Sequence, residues 1–154
     1  MLSTQQNQAS SFYDDVLVVE DDIIQCDEMA DFLRRAGLSV VTGYSATEGL
    51  EKATLHRPRV ALLDYNLPDF TGVQLAERLR AFLPYTAILM MSGRIDGLSE
   101  QTLVALGITV FVNKPLPLGP LRQAVVKLVR AGPVDRRSDD QRRGWLAAGF
   151  GGTR

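Results

Sequence analysis

The chain is short of several residue types, and each shortage excludes something. Its 154 residues hold one cysteine, Cys26, and one histidine, His56. A lone cysteine rules out an internal disulfide framework. No apolar run approaches the roughly 18–20 residues needed to span a bilayer. The first eleven residues are polar, rich in Gln and Ser, without the basic start and apolar stretch of a secretion signal. Neither sign of charge dominates. Lys and Arg total 17 against 18 Asp and Glu, a net charge of −1. There is thus no overall basic field for nucleic acid and no acidic excess of the kind that prevents folding. These absences lead us to expect a cytoplasmic protein with no membrane contact, for which direct nucleic-acid binding is disfavoured.

What remains is ordinary globular material: 45% hydrophobic and 23% charged residues, on a chain long enough for one independent core. Five short apolar runs recur at fairly even spacing: Val16 to Val19, Leu38 to Thr42, Val60 to Leu63, Ala87 to Met91, and Ile108 to Val112. Four are nearly continuous rather than alternating, the pattern of strands covered by helices on both faces. Helical spacing fills the gaps. Cys26, Met29, Ala30 and Leu33 form one apolar face, closed by Gly37. Ser45-x-x-Glu48 reads as a capping box opening a second helix, with Ala46, Leu50 and Ala53 inward. Gly72, Leu75, Ala76, Leu79 and Phe82 line a third, ended before Pro84. A weaker fourth lies around Ser99 to Leu106, and Leu118, Leu121, Val125 and Leu128 line a fifth. Strict strand–helix alternation predicts an α/β fold: a five-stranded parallel sheet, doubly wound, in the flavodoxin-like order 2-1-3-4-5 with five helices. Cys26 is expected to be a buried, inert thiol.

Residues 1–13 read as a flexible N-terminal segment, 14–132 as the folded domain, and 133–154 as a tail that is disordered or docks weakly. The tail carries five arginines against three aspartates. Ser138-x-x-Gln141 is a candidate cap there, and Trp145, Leu146 and Phe150 are candidate anchors, but glycines at 144, 149, 151 and 152 oppose a stable helix.

In an open α/β sheet, ligands sit outside the carboxyl ends of the strands. The first strand ends in Glu20-Asp21-Asp22, the third in Asp64-Tyr65-Asn66, the fourth in Ser92-Gly93, and the fifth in Asn113-Lys114-Pro115. Taken singly, each has a plain reading: an acidic helix start, a turn aspartate, a loop serine, a solvated lysine. Jointly they bring carboxylates, a hydroxyl and an ammonium to one sheet edge. Crowded carboxylates resist ionisation unless a cation joins them. An oxygen-only donor set suits a hard ion such as Mg2+. A metal, a cation and a hydroxyl around one carboxylate would stabilise a transferred phosphoryl group, with that carboxylate as nucleophile.

Over roughly residues 14–131 the chain resembles the receiver domain of response regulators of bacterial two-component signalling. The resemblance is carried by Val16 to Asp22, Ala61 to Gly72, Ile88 to Gly93 and Phe111 to Pro115. It implies that Asp64 is the phosphoacceptor. Asp21 and, partly through water, Glu20 would hold Mg2+ together with Asp64 and the backbone carbonyl of Asn66. Lys114 would pair with the phosphoryl oxygens, ahead of a cis bond to Pro115. Ser92 and Phe111 would be the hydroxyl and aromatic switch residues, and Asn66 and Arg94 would tune the lifetime of the phosphorylated state. The partners implied are a sensor histidine kinase or phosphotransfer protein, and a downstream protein or second copy on the face of the fourth helix, fifth strand and fifth helix. Such a domain is not a turnover enzyme; it catalyses only its own phosphorylation and dephosphorylation. Ser92 stands where threonine is commoner, and Phe111 has no hydroxyl, so the strength of the switch is open.

Three other functions compete. A phosphatase of the haloacid dehalogenase type also forms an aspartyl phosphate, but needs an aspartate where Asn66 stands. A receiver that binds partners without phosphorylation typically lacks the acidic pair, acceptor or lysine, all present here. A DNA-binding regulator would need an output module, and about 22 residues after residue 132 are too few for one. His56, at the end of the second helix, is expected to act as a helix-end cation rather than as a phosphorelay residue.

Overall fold

In a computed structural model of the chain, residues 12–93, 100–105, 107–115 and 117–132 are described. Five strands alternate with five helices: β1 (Asp14–Val19), α1 (Ile23–Arg35), β2 (Val40–Gly43), α2 (Ala46–His56), β3 (Pro58–Asp64), α3 (Gly72–Phe82), β4 (Ala87–Ser92), α4 (Glu100–Ala105), β5 (Ile108–Asn113) and α5 (Leu118–Arg130). All four pairings are parallel, in the order β2-β1-β3-β4-β5, as the alternation predicts.

The strands are apolar almost throughout because helices cover both faces. One layer sets Val16, Val18, Leu62, Leu89 and Met91 against Cys26, Met29, Leu33, Leu121 and Val125 of α1 and α5. The other sets Leu17, Val19, Leu63, Ile88 and Met90 against Ala46, Ala53, Leu75, Leu79 and Leu103 of α2, α3 and α4. Successive residues of one strand therefore serve opposite cores. Contact is close at α2, where a Cβ on Gly49 would lie 2.7 Å from a methyl of Val19.

Local chemistry fixes the helix ends. The Asp22 carboxylate accepts from Gln25 N–H (3.1 Å) to start α1, and Gly37 follows its end at φ +88°. Ser45 accepts from Glu48 N–H (3.0 Å) at α2, but the reciprocal capping box forms at α3, between Thr71 and Gln74. Buried Arg80 ends α3: Nη1 donates to the carbonyls of Leu83, Pro84 and Thr86, and Nη2 to that of Gly107. Burial pushes the Cys26 thiol up to about 12, in keeping with an inert core thiol.

Some expectations need correction. The second strand begins at Val40, since Leu38 and Ser39 only lead in from the Ala36–Gly37 turn that closes α1. Phe82 and Leu118, assigned to inward faces, are 38% and 43% exposed. Each stands at a helix end beyond the cover of its neighbours. At the opposite edge, Tyr13 N–H donates to the carbonyls of His56 and Arg57, and Arg59 lies over the Phe12 ring, so the expected flexible segment is tied to the fold at its last two residues. His56 Nδ1 lies 2.8 Å from Asp14 Oδ2. Residues 1–11, Arg94 and the 133–154 tail, with its candidate cap and anchors, lie outside the described residues, as does the Phe111 side chain.

Candidate functional site

Parallel register brings the strand ends level. Val19 stands beside Leu63, Asp64 beside Met91, and Ser92 beside Asn113. The next backbone bonds keep the chains together past the sheet: Tyr65 N–H donates to Met91 O (2.8 Å) and Lys114 N–H to Ser92 O (2.9 Å). Glu20 N–H donates to Gly43 O (3.0 Å). Glu20, Asp21, Asp64, Ser92 and Lys114 are therefore delivered to one edge by separate segments, as the sequence predicts.

Among them, Glu20 (2% exposed), Asp64 (4%) and Ser92 (0%) are buried, whereas Asp21 is open to solvent. Lys114 Nζ lies 3.1 Å from Asp64 Oδ2 and 3.2 Å from Glu20 Oε2, so one ammonium is shared by two buried carboxylates. The Lys114–Pro115 bond is cis. Burial, then a hydrogen bond to Asp64 and repulsion from its charge, push the Glu20 carboxyl up to about 8, against the pull of Lys114. For Lys114, burial works to lower the ammonium, but Asp64 and then Glu20 outweigh it and hold it above its ordinary value.

Glu20, Asp21 and Asp64 each offer a carboxylate oxygen, all within 4.8 Å of one another. Three hard oxygen donors, one side of them open through Asp21, fit a small divalent ion that keeps several waters. Asn66 follows on the loop leaving β3, its N–H donating to Asp64 Oδ1 (3.2 Å). That loop is clamped by Gly72, whose N–H donates to Tyr65 O (2.8 Å).

The family model of the response regulator receiver domain matches residues 16–126. The chain belongs to this family. Among similar proteins, the transcriptional regulatory protein CseB of Streptomyces coelicolor is 32% identical over 127 residues, covering 79% of this chain and 53% of the relative. The alkaline phosphatase synthesis transcriptional regulatory protein PhoP of Bacillus subtilis is 25% identical over 138 residues, covering 87% and 58%. The receiver spans about half the length of these curated relatives. The chemotaxis protein CheY4 of Vibrio cholerae is 28% identical with a TM-score of 0.68, covering 75% of this chain and 98% of that one. A CheY-like receiver from Methanospirillum hungatei, 24% identical, shares the fold with a TM-score of 0.72 over 85% of this chain and 98% of its own.

Two residues of this receiver escaped sequence reasoning. Asp69, on the loop after β3, accepts with its carboxylate from Ala46 N–H (2.8 Å), Thr47 N–H (2.7 Å) and the Thr47 hydroxyl. Partial desolvation opposes ionisation there, but the Thr47 hydroxyl, then the Thr47 and Ala46 amides, hold the carboxyl well below its usual range. Arg80 fell outside the apolar face assigned to the third helix. The sequence signals neither: the partners of Asp69 lie 23 and 22 residues away, and Arg80 bonds carbonyls of the turn just after its own helix together with Gly107, 27 residues on. Among the described residues, no helix is long and apolar enough to cross a membrane.

Proposed function

We propose that this receiver is a phosphoacceptor switch of the cytoplasm, in which Asp64 takes a phosphoryl group from a sensor histidine kinase or phosphotransfer protein. The observation that carries this reading is the Lys114 ammonium, 3.1 Å from a buried Asp64 oxygen, beside two further carboxylates. In the proposed step an Asp64 oxygen attacks the phosphorus of a phosphohistidine. The P–N bond breaks, a P–O bond forms, and the freed imidazole nitrogen takes a proton. Lys114 balances charge on the phosphoryl oxygens. Mg2+, held by Asp21, Asp64, the Asn66 carbonyl and, partly through water, Glu20, would supply charge neutralisation to the transferred group. The chain acts on itself only, so it is a switch rather than a turnover enzyme.

Two further parts belong to the proposal. Ser92 would donate its hydroxyl to the phosphoryl group, and Phe111 would turn inward behind it. This would repack α4, β5 and α5 for a downstream protein or a second copy. Asn66 and Arg94 would set the lifetime by controlling the approach of water. A phosphohistidine must arrive over the carboxyl edge, where Ile23 (55% exposed), Ile24 (71%) and Leu118 stand out as apolar side chains beside a cleft of about 470 Å³ reaching Lys114.

The test is intact mass after incubation with Mg2+ and acetyl phosphate, beside Asp64→Ala and a chelated sample. A gain of one phosphoryl mass that needs both Mg2+ and Asp64 is expected. No gain, from small donors or from a panel of histidine kinases, would leave a phosphorylation-independent binding module instead.

A further inference from the structure

We infer that Asp69 is a positioning residue that, by capping α2, fixes the loop carrying Asn66 and so sets the affinity of the acidic site for a divalent cation. The inference rests on the reading of Glu20, Asp21, Asp64 and the Asn66 carbonyl as cation ligands.

A backbone carbonyl has no rotamer of its own. Its place depends wholly on how the loop is held. Between β3 and α3 the loop is fixed at its near end by Tyr65 N–H to Met91 O, and at its far end by Gly72 N–H to Tyr65 O. In between, Leu67 and Phe70 pack partly against the core, and Arg78 lies over the Phe70 ring. The long-range polar tie is Asp69. Oδ1 accepts from Ala46 N–H and from its own neighbour Phe70 N–H (3.1 Å), and Oδ2 from the Thr47 amide and hydroxyl. Ala46 and Thr47 lie 23 and 22 residues away in sequence.

Those two amides belong to the first turn of α2, where N–H groups have no partner inside the helix and the helix dipole favours an anion. Ser45 satisfies a third amide of the same turn, that of Glu48. The two caps divide the work. Ser45 serves the helix alone, whereas Asp69 joins the helix to the loop three residues beyond Asn66. Residues that orient metal ligands typically influence affinity by 10–100-fold. By linkage, whatever the tether does for the cation, the cation does for the tether.

The experiment is a Mg2+ titration of the isotope-labelled full chain, followed at the Tyr65 and Asn66 amide resonances. Asp69→Ala should weaken Mg2+ binding on the order of tenfold, and Asp69→Asn, which keeps one acceptor oxygen, should recover part of it. Ser45→Ala removes a cap from the same helix without touching the loop. It should lower stability yet leave Mg2+ affinity unchanged. In the wild type, saturating Mg2+ should slow hydrogen exchange at Ala46 and Thr47. If Asp69→Ala fails to fold, Thr47→Val, which removes only the hydroxyl bond, should show a smaller shift in the same direction. Unchanged affinity in the Asp69 variants, or equal weakening by Ser45→Ala, would overturn the tether. A wild-type chain that binds no Mg2+ would overturn the cation reading beneath it.

Discussion

Gly72 and Asp64 are packed backbone to backbone. A Cβ on Gly72 would lie 2.3 Å from the Asp64 carbonyl oxygen and 2.9 Å from the Met90 sulfur. The first atom of α3 thus rests on the residue proposed to carry the phosphoryl group. Gly72→Ala is expected to force the β3–α3 loop outward, with a loss of about 1–3 kcal/mol as for other overpacked sites. Urea unfolding would read the loss, and acetyl phosphate labelling of the folded protein should slow in parallel. Normal labelling would show that the loop tolerates the shift.

Lys114 is shared between Glu20 and Asp64, so its removal leaves two buried carboxylates facing each other. Lys114→Met should slow phosphorylation of Asp64 by roughly 100-fold or more, the scale seen when one charge-stabilising group is deleted from an active site. Intact-mass time courses would measure it. A rate within a few-fold of wild type would remove Lys114 from the mechanism.

The raised Glu20 carboxyl gives the metal-free protein a pH dependence of definite sign. With its folded value near 8 against an ordinary 4.5, the native state binds this proton more tightly than the unfolded chain. That contribution to stability is full below about pH 4.5 and is lost as pH rises through 8. Thermal unfolding in chelator should show the decline, and Glu20→Gln should flatten it. Added Mg2+ should stabilise the wild type more at pH 8 than at pH 5. A chelated protein equally stable at both pH values, with Glu20→Gln no different, would refute the assignment.

Ile24 points an apolar side chain into solvent beside the acidic edge, 71% exposed. Ile24→Asp should leave labelling by acetyl phosphate unchanged, since a small donor needs no docking surface. Phosphotransfer from a cognate kinase should fall at least tenfold, read with the radiolabelled kinase. An equal loss with both donors would point to damage at the site rather than at a docking face.

Arg80 holds four carbonyls, three from the α3–β4 connection and one from the turn before β5. Arg80→Met would leave buried acceptors unsatisfied, at about 1–3 kcal/mol per group left wanting. Arg80→Lys should recover little, because one ammonium cannot reproduce the guanidinium fork. Urea midpoints would rank the three proteins. Lysine equal to arginine would reduce this contact to simple charge.

Much of this was legible in the sequence, for identifiable reasons. Continuous apolar runs as short as Val16 to Val19, bounded by acidic residues, read as strands buried on both faces, and their alternation with helical patterns points to the winding. The site was legible because strand ends in a parallel sheet share an edge, so Glu20, Asp64, Ser92 and Lys114 could be grouped without knowing distances. What failed to show has a common cause. Phe82 and Leu118 follow helical period, but period says nothing about where a neighbouring layer stops. Asp69 uses an ordinary polar side chain on partners that only the folded chain brings near, and Arg80 folds back on the turn after its own helix and reaches Gly107 across the fold. At α2 only half of the expected box forms, Ser45 accepting from Glu48 N–H, while the reciprocal pair is made at α3 by Thr71 and Gln74.

Glu20 and Lys114, bonded to the same site, stand 94 residues apart. No hairpin, no helix pair and no half of the sheet contains the chemistry. On the proposed mechanism, a chain still leaving the ribosome would lack the Lys114 ammonium until β5 had emerged and joined the sheet's edge. If Asp64 is the phosphoacceptor as proposed, being phosphorylated would itself certify that the last strand has joined the sheet.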